Sequence, residues 1–230
     1  MTSLTRRSLL AMAGAAPLAG LATSGSTPSG WLNVSPRELI RKQYFPDVTL
    51  KTHLGKSVRL YEDLIKDKFV VINFMLVNCV DGTCPITTYN LKMVRDLLKD
   101  RVGKDIFMYS ITLDPERDSP EALKVYAEVH GAGPGWTYLR AGVRETALLR
   151  RSLGFSDRDP KADANTSNHL TMVRFGNEPR QVWGATSGLI SPRSMAKSIL
   201  SADWPNAPKP LLAPAPDEYR IRRPPTPAPQ

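Results

Sequence analysis

Two nearly continuous apolar runs, Phe69 to Leu76 (Phe-Val-Val-Ile-Asn-Phe-Met-Leu) and Ile106 to Leu113, do most to limit what this chain can fold into. A strand covered on one face alternates apolar with polar side chains, so a run without alternation belongs to a strand buried on both faces. Helical spacing follows each run. After Pro85 the apolar positions Leu91, Val94, Leu97 and Leu98 form one stripe. Ser119-Pro120-Glu121 reads as a helix start, with Ser119 as N-cap and Pro120 at the first helical position. That helix is expected to turn Ala122, Val125, Tyr126 and Val129 inward and to end near His130-Gly131. A strand, a helix and a second strand joined by a right-handed crossover make a parallel β-α-β unit.

The remaining pattern completes a sheet around that unit. Phe45-Pro46-Asp47-Val48-Thr49-Leu50, Gly55 and Ser57-Val58-Arg59-Leu60 read as a leading hairpin. A short strand is expected over Trp136 to Leu139 and a helix over Arg144 to Leu153. His169 to Phe175 and Gln181 to Trp183 read as a second hairpin with Gly176-Asn177 at its turn. Ser191-Pro192 opens a last helix that buries Met195, Ile199 and Leu200. The expected fold class is α/β: a thioredoxin-like mixed sheet flanked by helices, with an N-terminal β-hairpin.

Both ends of the chain fall outside this domain. Residues 1–24 carry Thr5-Arg6-Arg7-Ser8-Leu9-Leu10 near their start, continue as a weakly apolar Ala/Gly-rich run and close on small residues at Gly20 and Ala22. That order is an export signal, and the paired arginines suggest the twin-arginine route to the periplasm. The apolar run of about 14 residues is shorter than the roughly 20 that span a bilayer, so a membrane tether would come only from an uncleaved signal. Residues 25–44 are expected to be a linker ending in a short helical turn from Pro36, and 45–202 the folded domain. In 203–230 a proline every few residues removes amide donors and excludes helix or central strand, giving a disordered or polyproline-like tail. The net charge of +9 is spread along the chain rather than gathered with aromatics, which argues against a nucleic-acid partner.

The only cysteines, Cys79 and Cys84, stand in Asn78-Cys79-Val80-Asp81-Gly82-Thr83-Cys84-Pro85, where the first buried strand hands over to its helix. Amides at a helix N-terminus carry partial positive charge and favour thiolate. A thiolate pair there can attack a disulfide or bind a soft metal. The plain alternative is a structural disulfide, but one closing so short a loop would stabilise the fold little through loop entropy. Of the three histidines, His53 in the hairpin turn and His130 at a helix end read as surface or capping residues. His169 opens a strand in a loop that such a fold brings beside the strand-to-helix junction.

These residues carry a resemblance to a known family. The stretches Phe45 to Leu50 with Gly55-Lys56, Cys79 to Cys84-Pro85, Ile111-Thr112-Leu113-Asp114-Pro115-Glu116-Arg117-Asp118-Ser119-Pro120, and Asn168-His169 resemble the Sco/SenC family of copper chaperones over about residues 45–200. The resemblance implies that Cys79, Cys84 and His169 bind copper, as Cu(I) or Cu(II), and deliver it to the copper-bearing subunit of a respiratory oxidase or to another exported cuproenzyme. It also implies that Cys79 and Cys84 exchange electrons as a dithiol with a thiol-disulfide redox partner. Thiolates suit Cu(I), and an added imidazole makes a site able to hold Cu(II) as well. Asp114 and Asp118 occupy the family's D-x-x-x-D; one or other is expected to orient groups near the site, and Asp118 reads equally as a helix-start residue beside Ser119. Two departures stand out: the family's C-x-x-x-C-P is here C-x-x-x-x-C-P, and the residues before the first cysteine are Met75-Leu76-Val77-Asn78. Side chains five apart on a helix diverge by about 140°, so the cysteines converge only if their segment is a loop, for which Asp81-Gly82 supplies the turn. Metallochaperone and thiol-disulfide reductase are the competing functions, and a third metal ligand at His169 separates them.

Overall fold

The computed structural model describes residues 34–165 and 171–203. The expected export signal, residues 25–33 of the linker, His169 and residues 204–230 of the proline-rich tail lie outside the described residues. The fold is built outward from β3 (Phe69–Met75), every residue of which is buried. On one side β3 pairs in parallel with β4 (Ile106–Thr112), from Phe69 opposite Ile106 to Met75 opposite Thr112. β4 pairs in parallel with β5 (Trp136–Arg140). The leading hairpin, β1 (Thr49–Thr52) and β2 (Ser57–Arg59), adds to β5 antiparallel. On the other side β6 (Met172–Asn177) runs antiparallel to β3 and pairs with β7 (Val182–Ser187). The order β2-β1-β5-β4-β3-β6-β7 puts the two apolar runs at the centre, where both faces need cover.

Helices supply that cover: α1 (Pro36–Tyr44), α2 (Thr83–Leu98), α3 (Pro120–Val129), α4 (Val143–Ser152), α5 (Pro160–Ala164) and α6 (Pro192–Leu200). The architecture is the expected mixed α/β sheet flanked by helices. Ser119 caps α3 by accepting from the Ala122 amide at 3.2 Å, and Ser191 caps α6 in the same way from Ser194. Where polar side chains enter the centre of the sheet they satisfy one another. Ser110 donates to Asn73 at 2.7 Å and accepts from the Trp136 indole at 2.9 Å.

Three local expectations are corrected. Val125 and Val129 of α3 are exposed, at 59% and 76%, and the buried stripe is Leu123, Tyr126 and Ala127. Two helical stripes share Tyr126, and the one that meets the sheet continues to His130, whose ring packs 4.2 Å from that of Tyr126. Gly176-Asn177 is not a turn but the end of β6, paired with Trp183 and Val182. The reason is room: a Cβ on Gly176 would lie 1.9 Å from the Trp183 ring, so this glycine serves cross-strand packing while the chain reverses over Glu178–Gln181. The segment from Pro36 is a nine-residue helix with Ser35 as cap, not a single turn. Its Arg37 pairs with the buried Glu178 at 2.6 Å, and Glu178 also accepts from Tyr61 and from the Asp67 amide. That carboxylate fastens α1 and the segment before β3 to the β6–β7 reversal.

Candidate dithiol and metal site

β3 ends at Met75 and α2 begins at Thr83, so the intervening residues carry Cys79 on a loop while Cys84 sits in the first helical turn. Gly82, the N-cap, adopts φ 75° and ψ 0°. Residues other than glycine and asparagine rarely take that left-handed conformation. The reversal at Gly82 brings the two cysteines together across five residues, since the Cys84 amide donates to Cys79 Sγ at 3.3 Å. Neither cysteine is in a disulfide.

The two sulfurs differ. Cys84 is 2% exposed, and its sulfur accepts from the Leu76 amide at 3.3 Å. Burial, reinforced by a hydrogen bond with Cys79, pushes the Cys84 thiol well above the ordinary thiol range. The helix N-terminus that favours thiolate is therefore outweighed at this residue. Cys79 is partly exposed, and its thiol donates to Asp81 Oδ1 at 2.9 Å. The same oxygen accepts from the Thr83 amide at 2.9 Å and the Thr83 hydroxyl at 2.8 Å. In the sequence alone Asp81-Gly82 reads as a turn. Its second role, an aspartate bonded to the amide two residues on, is the Asx-turn habit of this residue type and was in principle legible.

A second carboxylate holds the loop from beneath. Asp118 is 3% exposed, accepts from the Thr112 hydroxyl and takes the Val77 amide at 3.3 Å. It thus ties the residue two before Cys79 to the end of β4. Asp114 is differently placed, ion-paired at 2.5 Å with Arg117, which is itself largely exposed. Thr88, one turn beyond Cys84, hydrogen-bonds Tyr126 of α3 at 3.2 Å, and burial leaves the Tyr126 phenol pushed up to about 12.

His53 Nδ1 engages the Tyr138 backbone of β5 at 3.2 Å, and His130 caps α3 against Tyr126. Among the described residues no group of three or more His, Cys, Asp and Glu converges as a metal cage. His169 lies outside them. Two residues on, Thr171 accepts from the Gly188 amide at 3.0 Å, and a Cβ on Gly188 would meet Thr87 at 2.7 Å. The chain after His169 therefore resumes against α2, one turn from Cys84. Two cysteine sulfurs, one reachable and one shielded, are a soft donor pair of the kind Cu(I) prefers, and the fit to that ion is good.

Comparison with known proteins gives a consistent result. The SCO1/SenC family model matches residues 41–202. A protein of Stutzerimonas stutzeri named for copper binding is 27% identical over 149 residues, covering 65% of this chain and 70% of that one. The structure of yeast Sco1 with copper bound superposes with a TM-score of 0.56 at 20% identity, covering 74% of this chain and 98% of that one. BsSco, described as having a disulfide switch and as one of the Sco family of cytochrome c oxidase assembly proteins, gives 0.56 at 20% identity, with 70% and 94% covered.

Proposed function

The chain belongs to the SCO1/SenC family, and from that premise we propose that it is an exported copper-binding metallochaperone. Cys79, Cys84 and His169 take up copper and pass it to the copper-bearing subunit of a respiratory oxidase or to another exported cuproenzyme. The observation that carries the reading is the pair of cysteine sulfurs brought together at the β3–α2 junction, with Cys79 open to a partner and Cys84 shielded. Copper is the cargo here. The loop keeps Cys79 reachable, the Leu76 amide and the Asp118 tether hold the sulfur pair in register, and the thiol protons leave as the metal enters. A site with few ligands leaves its ion open to capture by a receiving protein. Export to the periplasm by the leader in residues 1–24 belongs to the same proposal, as does the oxidase as acceptor.

The test is anaerobic copper titration of the reduced protein beside His169→Ala and Cys84→Ser. Uptake of one equivalent, weakened in both variants, supports the reading. No uptake, or equal affinity without the imidazole, overturns the three-ligand site.

The unequal burial of the cysteines also favours a second reading, a thiol-disulfide reductase that keeps an acceptor's cysteine ligands reduced. Cys79 Sγ attacks a sulfur of the acceptor disulfide to form a mixed disulfide. Cys84 then attacks Cys79, releasing the acceptor as a dithiol and leaving Cys79–Cys84 oxidised. Exchange kinetics with a disulfide peptide that His169→Ala leaves unchanged would favour this second role.

A further inference from the structure

On the sheet face away from α2 and α6, a cleft of about 330 Å³ opens between α1, the end of α4 and the β6–β7 hairpin. Its walls are Tyr44, Phe45 and Trp183 on the aromatic side and Leu153 opposite, with Arg174 and Gln181 as polar groups. Phe45 and Trp183 pack with ring centroids 4.9 Å apart, which makes a fixed aromatic wall. Arg174 is half-buried at mid-strand, and among the described residues it makes no ion pair; its Nε is shielded from water and has no acceptor. Burial without a partner holds the Arg174 guanidinium below the ordinary arginine range, a cost that an arriving anion would relieve. The site lies apart from the cysteine loop, and the proposed function makes no use of it.

The chain carries a segment with prolines suited to an aromatic groove and one acidic pair, in a tail whose other charges, Lys209, Arg220, Arg222 and Arg223, are basic. Residues 204–230 follow Asp203, which is fixed by Arg101 at 2.8 Å, by Arg180 donating to its carbonyl at 2.9 Å, and by Asn177 at 3.3 Å. Asn177 pairs with Val182, the neighbour of Trp183, so the tail departs from the hairpin end that also forms one wall of the cleft. Its prolines at 205, 208, 210, 214 and 216 favour polyproline II, the conformation that aromatic-lined grooves accept at low entropic cost. After Pro214-Ala215-Pro216 come Asp217 and Glu218, the only acidic residues of the tail. At about 3.1 Å per residue, the 14 residues from Asp203 to Asp217 reach roughly 43 Å, ample to round the edge strand β7.

We propose that the chain's own proline-rich tail docks in this cleft, with prolines against the Tyr44, Phe45 and Trp183 wall and the Asp217-Glu218 pair against Arg174. The tail then serves as a strap over α1 and the β6–β7 hairpin. Because it is tethered at Asp203, its effective concentration is in the millimolar range, so an intrinsic affinity of about 1 mM suffices for half occupancy.

The experiment follows the Trp183 indole N–H signal, identified with Trp183→Phe, in three labelled proteins: the full chain, a full chain with D217K and E218K, and a chain ending at Asp203. The charge-reversed tail and the truncation should move the signal alike, and a synthetic peptide of residues 204–230 should return the truncated chain to the full-chain position. R174E should weaken that peptide at least tenfold, and R174E combined with the D217K/E218K peptide should recover most of the loss. A Trp183 signal that ignores both tail changes and the added peptide overturns the proposal. So does a full-chain signal that varies with protein concentration, since the occupant would then be a second copy.

Discussion

Gly82→Ala isolates the backbone requirement that the long cysteine spacing imposes. Among the described residues an added Cβ at Gly82 would meet nothing within 4 Å, so the substitution brings no clash with them, and its effect is that of an L-residue held at φ 75°. Holding alanine in the left-handed region costs about 1–2 kcal/mol. If the loop keeps its shape, that cost is lost from global stability, and in a folded unit of this size it lowers Tm by about 2–8 °C in calorimetry of the reduced, metal-free protein. If the loop instead relaxes out of the left-handed turn, Tm is preserved, Cys79 leaves the Cys84 amide, and rebinding copper must restore the strain. Affinity then falls by about 5–30-fold, the factor that 1–2 kcal/mol represents. Calorimetry and anaerobic competition titration on one preparation divide the cost between the two. Gly82→Asn, which tolerates this region, should recover most of either loss. The reasoning is refuted if alanine is silent in both assays, or if asparagine is as damaging as alanine.

Further outcomes follow from the packing. Glu178→Ala leaves the Tyr61 hydroxyl and the Asp67 amide without their acceptor, while Arg37, exposed and still paired with Asp67, is not stranded, and urea unfolding should register a loss of about 1–3 kcal/mol. Burial alone would raise the Glu178 pKa, but the bonds from Arg37, the Asp67 amide and Tyr61 outweigh it and lower the carboxyl below 4.5. A depressed carboxylate stabilises the fold above its unfolded value and loses that contribution as pH falls through its folded value; the wild type should therefore shed stability below about pH 4.5, and Glu178→Gln should flatten that limb. Leu123→Ala should cost about 2–5 kcal/mol by the same measurement, whereas Val129→Lys on the exposed side of α3 should be nearly neutral; the reverse ranking would restore the stripe expected from sequence. Asp118→Ala removes the acceptor of the Val77 amide and should cost about 1–3 kcal/mol while accelerating amide exchange at Val77, and unchanged exchange there would mean that the loop is held by other contacts.

Much of the fold was legible because it is periodic. The runs at Phe69 and Ile106 could only be central strands, and Ser119-Pro120 and Ser191-Pro192 could only begin helices. The candidate site was legible to the level of residue type and place, with two cysteines at a strand-to-helix junction and a glycine where a turn was required. Less was legible where two patterns competed. The α3 stripes through Val125 and through Leu123 are equally periodic, and only contact with the sheet selects between them. Gly176 looks like a turn glycine until Trp183 is found lying across it.

The sequence by itself thus determined the class of sheet, the family, and the need for a looped turn between Cys79 and Cys84. Only the tertiary structure decided how unequal the two sulfurs are. Cys84 is shielded within the core, and the loop that carries Cys79 is tethered at Val77 by Asp118, 41 residues on, beyond the end of the neighbouring strand β4. Periodicity and spacing record local backbone requirements, whereas burial and the partners of a polar group are set by chain segments that meet only once the fold has closed.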